Sequence, residues 1–217
     1  MTETVISFSL LELFQMGGPI MWPLLLFSII SVAIIMERGF YLIYYNLRLD
    51  DLKEIVEKAI INKDLDKTRE YLESKTKRRM GARVLLALVK RSGLSEQRLE
   101  KAVEAEALTC ISSLENGFNF LTALASISPL TGFLGTVTGM IGAFRSISEA
   151  VDINAQIVAS GIYEALITTV FGLIIAITAM TAHSLYSHVV DKFASEMEVI
   201  CSDLIIALGD SNENKKK

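Results

Sequence analysis

Three long runs of this chain contain no charged residue. They cover residues 13–36, 116–144 and 165–190, and they are 24, 29 and 26 residues long. A helix needs roughly 20 apolar residues to cross the ~30 Å hydrocarbon core of a bilayer. The pattern therefore predicts three membrane-spanning helices, the last of which carries two histidines, His183 and His188, toward its end.

The region between the first two runs has a helical period. Its first apolar positions follow the i, i+3, i+4, i+7, i+8 spacing and are Leu52, Ile55, Val56, Ala59 and Ile60. A further apolar stretch, residues 84–89, ends before Ser92-Gly93. Ser95 is placed to cap another helix, which meets no breaker before Asn116-Gly117. If that helix continues into the second run, it projects well beyond the bilayer.

The expected fold class is an all-α integral membrane protein with a helical cytoplasmic domain and a long second-span helix that extends into the cytoplasm. Residues 1–18 form an amphipathic segment ahead of a Gly17-Gly18-Pro19 break, which predicts a short helix in the outer interface. The remaining boundaries are a first transmembrane helix over 19–45, the cytoplasmic region over 46–115, a second transmembrane helix over 116–144, a short periplasmic connection over 145–160, a third transmembrane helix over 161–190 and a cytoplasmic tail over 191–217.

Charge distribution gives these helices an orientation. The net charge of −4 and the mean hydropathy of +0.42 fit a membrane protein, but the placement of lysine and arginine is more informative. Residues 1–18 have none, residues 46–117 have fifteen, and the connection between the last two runs has only Arg145. Because cytoplasmic loops are enriched in these residues, the N-terminus is expected outside and the C-terminus inside.

Several other classes of protein are not indicated. The first run follows Thr2 and Glu3 and not a basic segment, and it is too long for a cleavable signal peptide. Cys110 and Cys201 fall on the cytoplasmic side, so we expect reduced thiols. Without a phosphate-binding glycine loop, metal-ligand spacing or catalytic triad, we expect no enzyme, no metal, no cofactor and no nucleic-acid partner.

The second run is too rich in small residues to be a simple anchor. Gly132, Gly135, Gly139 and Gly142 recur at intervals of 3, 4 and 3 and therefore share one helix face. Such a face allows another helix to approach closely.

Pro129 interrupts the same run. It has no amide hydrogen and its ring clashes with the carbonyl of Ala125, so a kink and a free carbonyl are expected there. The hydroxyl of Ser126, Ser128 or Thr131, or a water molecule, could serve that carbonyl.

Glu164 is the only acidic or permanently charged residue in the 38-residue stretch 153–190. A carboxyl group in low dielectric favours its neutral form and can exchange a proton, so intramembrane acids are usually functional. It could lie at mid-membrane or at the outer mouth. The alternative is a structural carboxyl paired with Arg145 or bonded to a threonine. The threonines that follow it could simply bond their own helix; they are Thr168, Thr169, Thr178 and Thr181.

The chain resembles the ExbB/TolQ/MotA family of proton-channel subunits, and most closely its three-span ExbB/TolQ branch. The resemblance rests on GGPIMWP at residues 17–23, on SPLTGFLGTVTGMI at 128–141, similar to APLLGLLGTVxGMI, and on GIYEALITT at 161–169, similar to GIxEALxTT.

The resemblance implies a homopentamer in the bacterial inner membrane whose second and third spans surround two helices of an ExbD/TolR-like single-span partner. It also implies that the proton motive force drives work on envelope machinery through a TonB- or TolA-like effector. By position, Thr136, Glu164 and Thr169 match the family's pore-lining residues and Pro129 matches its kink.

Two alternatives remain open. Thr131 stands where the family usually has leucine and Thr178 where it has proline, and these extra hydroxyls suit Na⁺ as well as H⁺ as coupling ion. The competing function is a non-conducting membrane scaffold in which Glu164 is structural and the glycine face serves assembly.

Overall fold

The computed structural model describes residues 10–62, 64–149 and 155–213, and all secondary structure in them is α-helical. The helices are α1 (Leu10–Met16), α2 (Met21–Tyr44), α3 (Asp50–Asn62), α4 (Leu65–Lys75), α5 (Met80–Lys90), α6 (Glu96–Glu115), α7 (Phe118–Glu149) and α8 (Ala155–Glu213). Among the described residues, three helical segments are long and apolar enough to cross a membrane, in α2, in α6–α7 and in α8. The predicted all-α class with three candidate spans is therefore confirmed.

The chain divides into two compact units. The apolar unit consists of the described residues of Met1–Met36 and Gly117–Ser184, and the charged unit of those of Glu37–Asn116 and Leu185–Lys217. Each unit therefore combines parts of the chain that are far apart in sequence.

In the apolar unit, the N-terminal part of α2 packs on α8. Met21 and Leu24 are buried in one cluster with Ile167 and Ile175. Before α2, the chain turns sharply at Gly18, whose φ is 67°, and this is the break that the Gly-Gly-Pro sequence predicts. The predicted N-terminal helix is seen as α1, while residues 1–9 lie outside the described residues.

In the charged unit, α5 is the central helix. It contacts α3, α4 and α6, and its residues Leu85 and Leu88 are fully buried. The predicted stripe on α3 is confirmed by the burial of Leu52, Val56, Ala59 and Ile60, whereas Ile55 is only partly buried. Ser95 is the N-cap residue of α6, but its side chain makes no capping hydrogen bond.

Three boundaries differ from the sequence-based expectations. The long second-span helix is divided, because α6 ends at Glu115 and α7 starts at Phe118, with Gly117 at a φ of 89° between them. The connection predicted over 145–160 is shorter, because α7 reaches Glu149 and α8 begins at Ala155.

The third difference is the tail predicted over 191–217. It is helical as far as Glu213, as part of α8. Phe193, Met197, Cys201 and Leu204 are buried along one side of it. Their spacing of 4, 4 and 3 residues is helical, so the same periodicity rule could have found this segment.

Candidate functional site

The glycines of α7 form a close contact with α8. A Cβ atom added at Gly132 would lie 2.8 Å from the carbonyl oxygen of Thr168, and one added at Gly139 would lie 3.1 Å from that of Gly161. At Gly135, an added Cβ would meet the side chain of Thr168 at 2.6 Å from its Cβ. A side chain at Gly132 or Gly135 would therefore force neighbouring atoms to shift, and one at Gly139 would make a tight contact.

Gly142 differs from the other three glycines. Nothing lies within 4 Å of a Cβ built there. The neighbouring residue Ala143, and not Gly142, is the one that contacts α8, at Gly161. The sequence therefore grouped four glycines of which the structure places three against α8.

Helix α8 carries a matching row of small residues that the sequence analysis did not single out as a face. An added Cβ at Gly172 would lie 2.6 Å from the carbonyl oxygen of Ser128, and one at Gly161 would lie 2.5 Å from the Cβ of Ala143. Ala165 and Thr168 lie between them on the same row. The spacing of 4, 3 and 4 from Gly161 to Gly172 is the signal that could have revealed this row.

Two hydroxyl groups of α8 converge on one carbonyl of α7. The side chains of Thr168 and Thr169 each donate to the carbonyl oxygen of Gly132 at 3.2 Å, and Thr168 also lies 2.8 Å from the Ala165 carbonyl of its own helix. Thr168 is fully buried. The two threonines therefore link α7 to α8 through hydrogen bonds.

The other candidate threonines bond their own helix. Thr131 donates to the carbonyl of Ile127 at 3.0 Å and Thr136 to that of Phe133 at 2.6 Å. Both side chains are partly buried. The structure thus does not bring Thr131 or Thr136 into a hydrogen bond with Glu164.

Pro129 lies inside α7, which continues on both sides of it. The hydroxyls expected to serve the Ala125 carbonyl donate elsewhere. Ser126, Ser128 and Thr131 bond the carbonyls of Thr122, Leu124 and Ile127, each four residues earlier. The hydroxyl groups of all three residues therefore donate to carbonyls of α7 other than that of Ala125.

Glu164 lines a cleft of about 790 Å³ in the apolar unit. As a residue, Glu164 is partly buried. The cleft is lined by Pro19, Ile20, Thr138, Gly139, Gly142, Ala143, Ser146, Gln156, Ser160, Gly161 and Glu164. Apart from Glu164, the polar side chains of this set are neutral, so the cleft offers oxygen and amide groups around a single carboxyl group.

The N-terminal turn contacts Glu164 directly. A Cβ atom added at Gly18 would lie 2.8 Å from the carboxyl carbon of Glu164. Gly18 precedes α2, so Glu164 lies near the N-terminal end of that helix. The alternative partner Arg145 instead bonds Glu149, with 2.9 Å between its Nε and a carboxylate oxygen.

No histidine or cysteine is among the residues that line this cleft. His183 packs edge-on against Phe118, with ring centroids 5.9 Å apart, and His188 is exposed. In the charged unit, burial raises the pKa of the Cys201 thiol to about 12 and also raises the pKa of Cys110. Neither thiol is poised for chemistry at neutral pH.

The sequence of this chain matches the MotA/TolQ/ExbB proton channel family over residues 50–199. That range is more than half of the chain and contains the α7–α8 contact and Glu164. The chain belongs to this family. The prediction of family membership from the residues is thereby confirmed, although the turn at Gly18 lies outside the matched range.

Curated relatives agree with this assignment. The chain is 36% identical over 202 residues to an ExbB-like biopolymer transport protein of Synechocystis, covering 88% of this chain and 78% of the relative. It is 33% identical over 177 residues to the Tol-Pal system protein TolQ of Haemophilus influenzae, covering 74% and 75%. It is 28% identical over 196 residues to an ExbB-type biopolymer transport protein of Vibrio cholerae, covering 88% and 84%. Together with its apolar helices, this makes the chain a multi-pass membrane protein.

Proposed function

We propose that this chain is the pore-forming subunit of an ion-driven motor in the bacterial inner membrane, powered by the proton motive force. The observation that carries the proposal is the partly buried Glu164, the one charged residue in the lining of a cleft that also contains neutral polar and apolar residues. A carboxyl group in such a setting can take up and release a proton without a fixed counter-ion. Membership in a proton channel family supports the same conclusion.

The proposed arrangement is a homopentamer with the N-terminus outside and the C-terminus inside. The distribution of lysine and arginine supports this orientation. It would place the connection between α7 and α8, and with it the cleft, on the outer side of the membrane. Protons would then reach Glu164 from the side where their electrochemical potential is higher.

The proposed partner is an ExbD/TolR-like subunit with a single transmembrane helix, and the load is reached through a TonB- or TolA-like effector. The relatives include both biopolymer transport proteins and a Tol-Pal system protein, which supports energy transduction to the cell envelope in either setting. Large apolar side chains such as Leu130 and Ile177 are exposed on α7 and α8, and they supply surfaces for lipid, for further copies of the chain or for a partner helix.

The test is proton uptake by vesicles that contain the complex of this chain with its single-span partner. Glu164→Gln should abolish uptake while the complex stays assembled, because the amide keeps the size of the side chain but cannot exchange a proton. Glu149→Gln is the matched control, since this acid lies at the end of α7 and does not line the cleft. Vesicles that contain this variant should take up protons at the normal rate.

Two results of this experiment would count against the proposal. Normal uptake by Glu164→Gln would exclude Glu164 from the ion path. Loss of assembly in Glu164→Gln would instead support the scaffold hypothesis, in which the carboxyl is structural.

The coupling ion is proposed to be H⁺. In vesicles prepared without sodium, uptake should then persist at the same rate. Uptake that requires added Na⁺ would show that the hydroxyl groups of this chain serve a sodium path instead.

A further inference from the structure

The turn between α1 and α2 is fixed against α8 on both sides of Gly18. Before it, a Cβ added at Gly17 would lie 3.2 Å from the Cγ2 of Ile167. After it, Met21 is buried in the cluster that contains Ile167 and Ile175. Within the turn, the amide of Met21 donates to the carbonyl of Gly18 at 3.2 Å, and that of Gly17 donates to Leu13 at 3.1 Å. The turn therefore has a defined place on α8.

Gly18 is the residue of this turn that meets Glu164. Its φ of 67° favours glycine, because other residues rarely adopt this conformation. A Cβ atom would lie 2.8 Å from the carboxyl carbon and 3.5 Å from the Cγ of Glu164, so the carboxyl group occupies the space that a side chain would need. The neighbouring residues Pro19 and Ile20 line the cleft.

We propose that Gly18 is a positioning residue for the ion-exchanging carboxyl group. The turn formed by residues 17–20, called the seat below, packs against Glu164 and keeps its carboxyl group at the wall of the cleft. This inference rests on the proposed function. It adds the N-terminal turn, which precedes the first span, to the parts of the chain that set the ion path. Any side chain at position 18 would displace the carboxyl group or lift the turn from α8.

Gly18→Ala tests this seat, with Gly117→Ala as the matched control. Gly117 also has a positive φ, 89°, and it precedes Phe118, which packs against His183, nineteen residues beyond Glu164 on α8. Gly18→Asn is the second variant, because asparagine tolerates this backbone conformation better than alanine while still bringing a side chain. Both substitutions at position 18 should lower proton uptake by about tenfold or more, since small displacements of a reacting group have effects of this size.

A second measurement does not depend on conduction. Dicyclohexylcarbodiimide reacts with protonated carboxyl groups in apolar surroundings, and mass spectrometry can follow its attachment to Glu164. Labelling of Glu164 should fall in Gly18→Ala and Gly18→Asn and should stay normal in Gly117→Ala.

The outcomes separate the two proposals. If Gly18→Ala and Gly18→Asn match Gly117→Ala in uptake and in labelling, the seat is wrong, whatever the function of the chain. If Glu164→Gln retains uptake while the position-18 variants still change the labelling, the proposed function is wrong, and the contact stands only as a structural one.

Discussion

The charged unit and the apolar unit are both built from helices, but the α7–α8 contact of the apolar unit uses smaller residues than the core of the charged unit. The charged unit buries large side chains such as Leu72, Leu85 and Met197 completely. In the apolar unit, α7 and α8 meet through glycine, alanine and threonine, and their backbones touch. Between helices in water, burial of apolar surface drives association, whereas lipid tails are as apolar as leucine and offer no such force. Helices in a bilayer therefore gain more from close approach and from hydrogen bonds between them.

The largest effect should come from truncating a core side chain of the charged unit. Leu85→Ala leaves a cavity at a fully buried site and should destabilise this unit by about 3 kcal/mol. Thermal unfolding of the full chain in detergent, followed by circular dichroism, measures the change. The control is Ile61→Ala, whose side chain is 71% exposed and should matter little. Equal midpoints for the two variants would show that burial of large side chains does not hold this unit.

In the apolar unit the damaging change is the opposite one, the addition of a methyl group. Gly132→Ala would place a Cβ 2.8 Å from the Thr168 carbonyl oxygen and 3.1 Å from the Thr169 Cα, which are backbone atoms that cannot rotate away. The α7–α8 contact should lose about 2 kcal/mol. Its thermal stability can be followed by the fluorescence of Trp22, the single tryptophan.

Gly142→Ala is the matched control for that change. It adds the same methyl group to the same helix, but nothing lies within 4 Å of it, so its stability should equal or exceed that of the unchanged chain. If both alanine variants melt alike, close backbone approach is not what joins α7 to α8.

A smaller effect is expected from the hydroxyl groups that link the two helices. Thr168→Val keeps the shape of the side chain but removes its hydrogen bonds to Gly132 and Ala165, and should cost about 0.6 kcal/mol. Thr178→Val removes only a bond to Ile174 within the same helix and serves as the comparison in the same melting assay. A larger loss in Thr178→Val would contradict the linking role of Thr168.

The smallest expected signal concerns the thiols of the charged unit. Cys110 and Cys201 are buried, and burial raises the pKa of both, that of Cys201 to about 12. Since the thiolate is the reactive form, maleimide at pH 7 should label neither in the folded chain and both after denaturation in detergent. Rapid labelling of the folded chain would mean that the large side chains around these thiols pack less tightly than described.

Local patterns in the sequence were sufficient to predict the candidate spans, two helices of the charged unit and several candidate site residues. Uncharged runs predicted three spans, periodic apolar positions predicted α3, and the apolar stretch 84–89 before Ser92-Gly93 predicted α5, because such patterns are properties of neighbouring residues. The same kind of argument selected Glu164 as the isolated acid and found the glycines of α7. It also could have found the α8 row from Gly161 to Gly172 and the helix beyond residue 190, since both have helical spacing.

Only the tertiary structure decided which of these residues meet. Gly18 and Glu164 lie far apart in the chain, and no local pattern relates a turn before the first span to an acid in the third. The structure also divided the four glycines of α7, because the row in contact with α8 turns toward Ala143 and leaves Gly142 beside the cleft. Such pairings depend on how helices pack, and packing is set by contacts between segments that the periodicity of each segment does not specify.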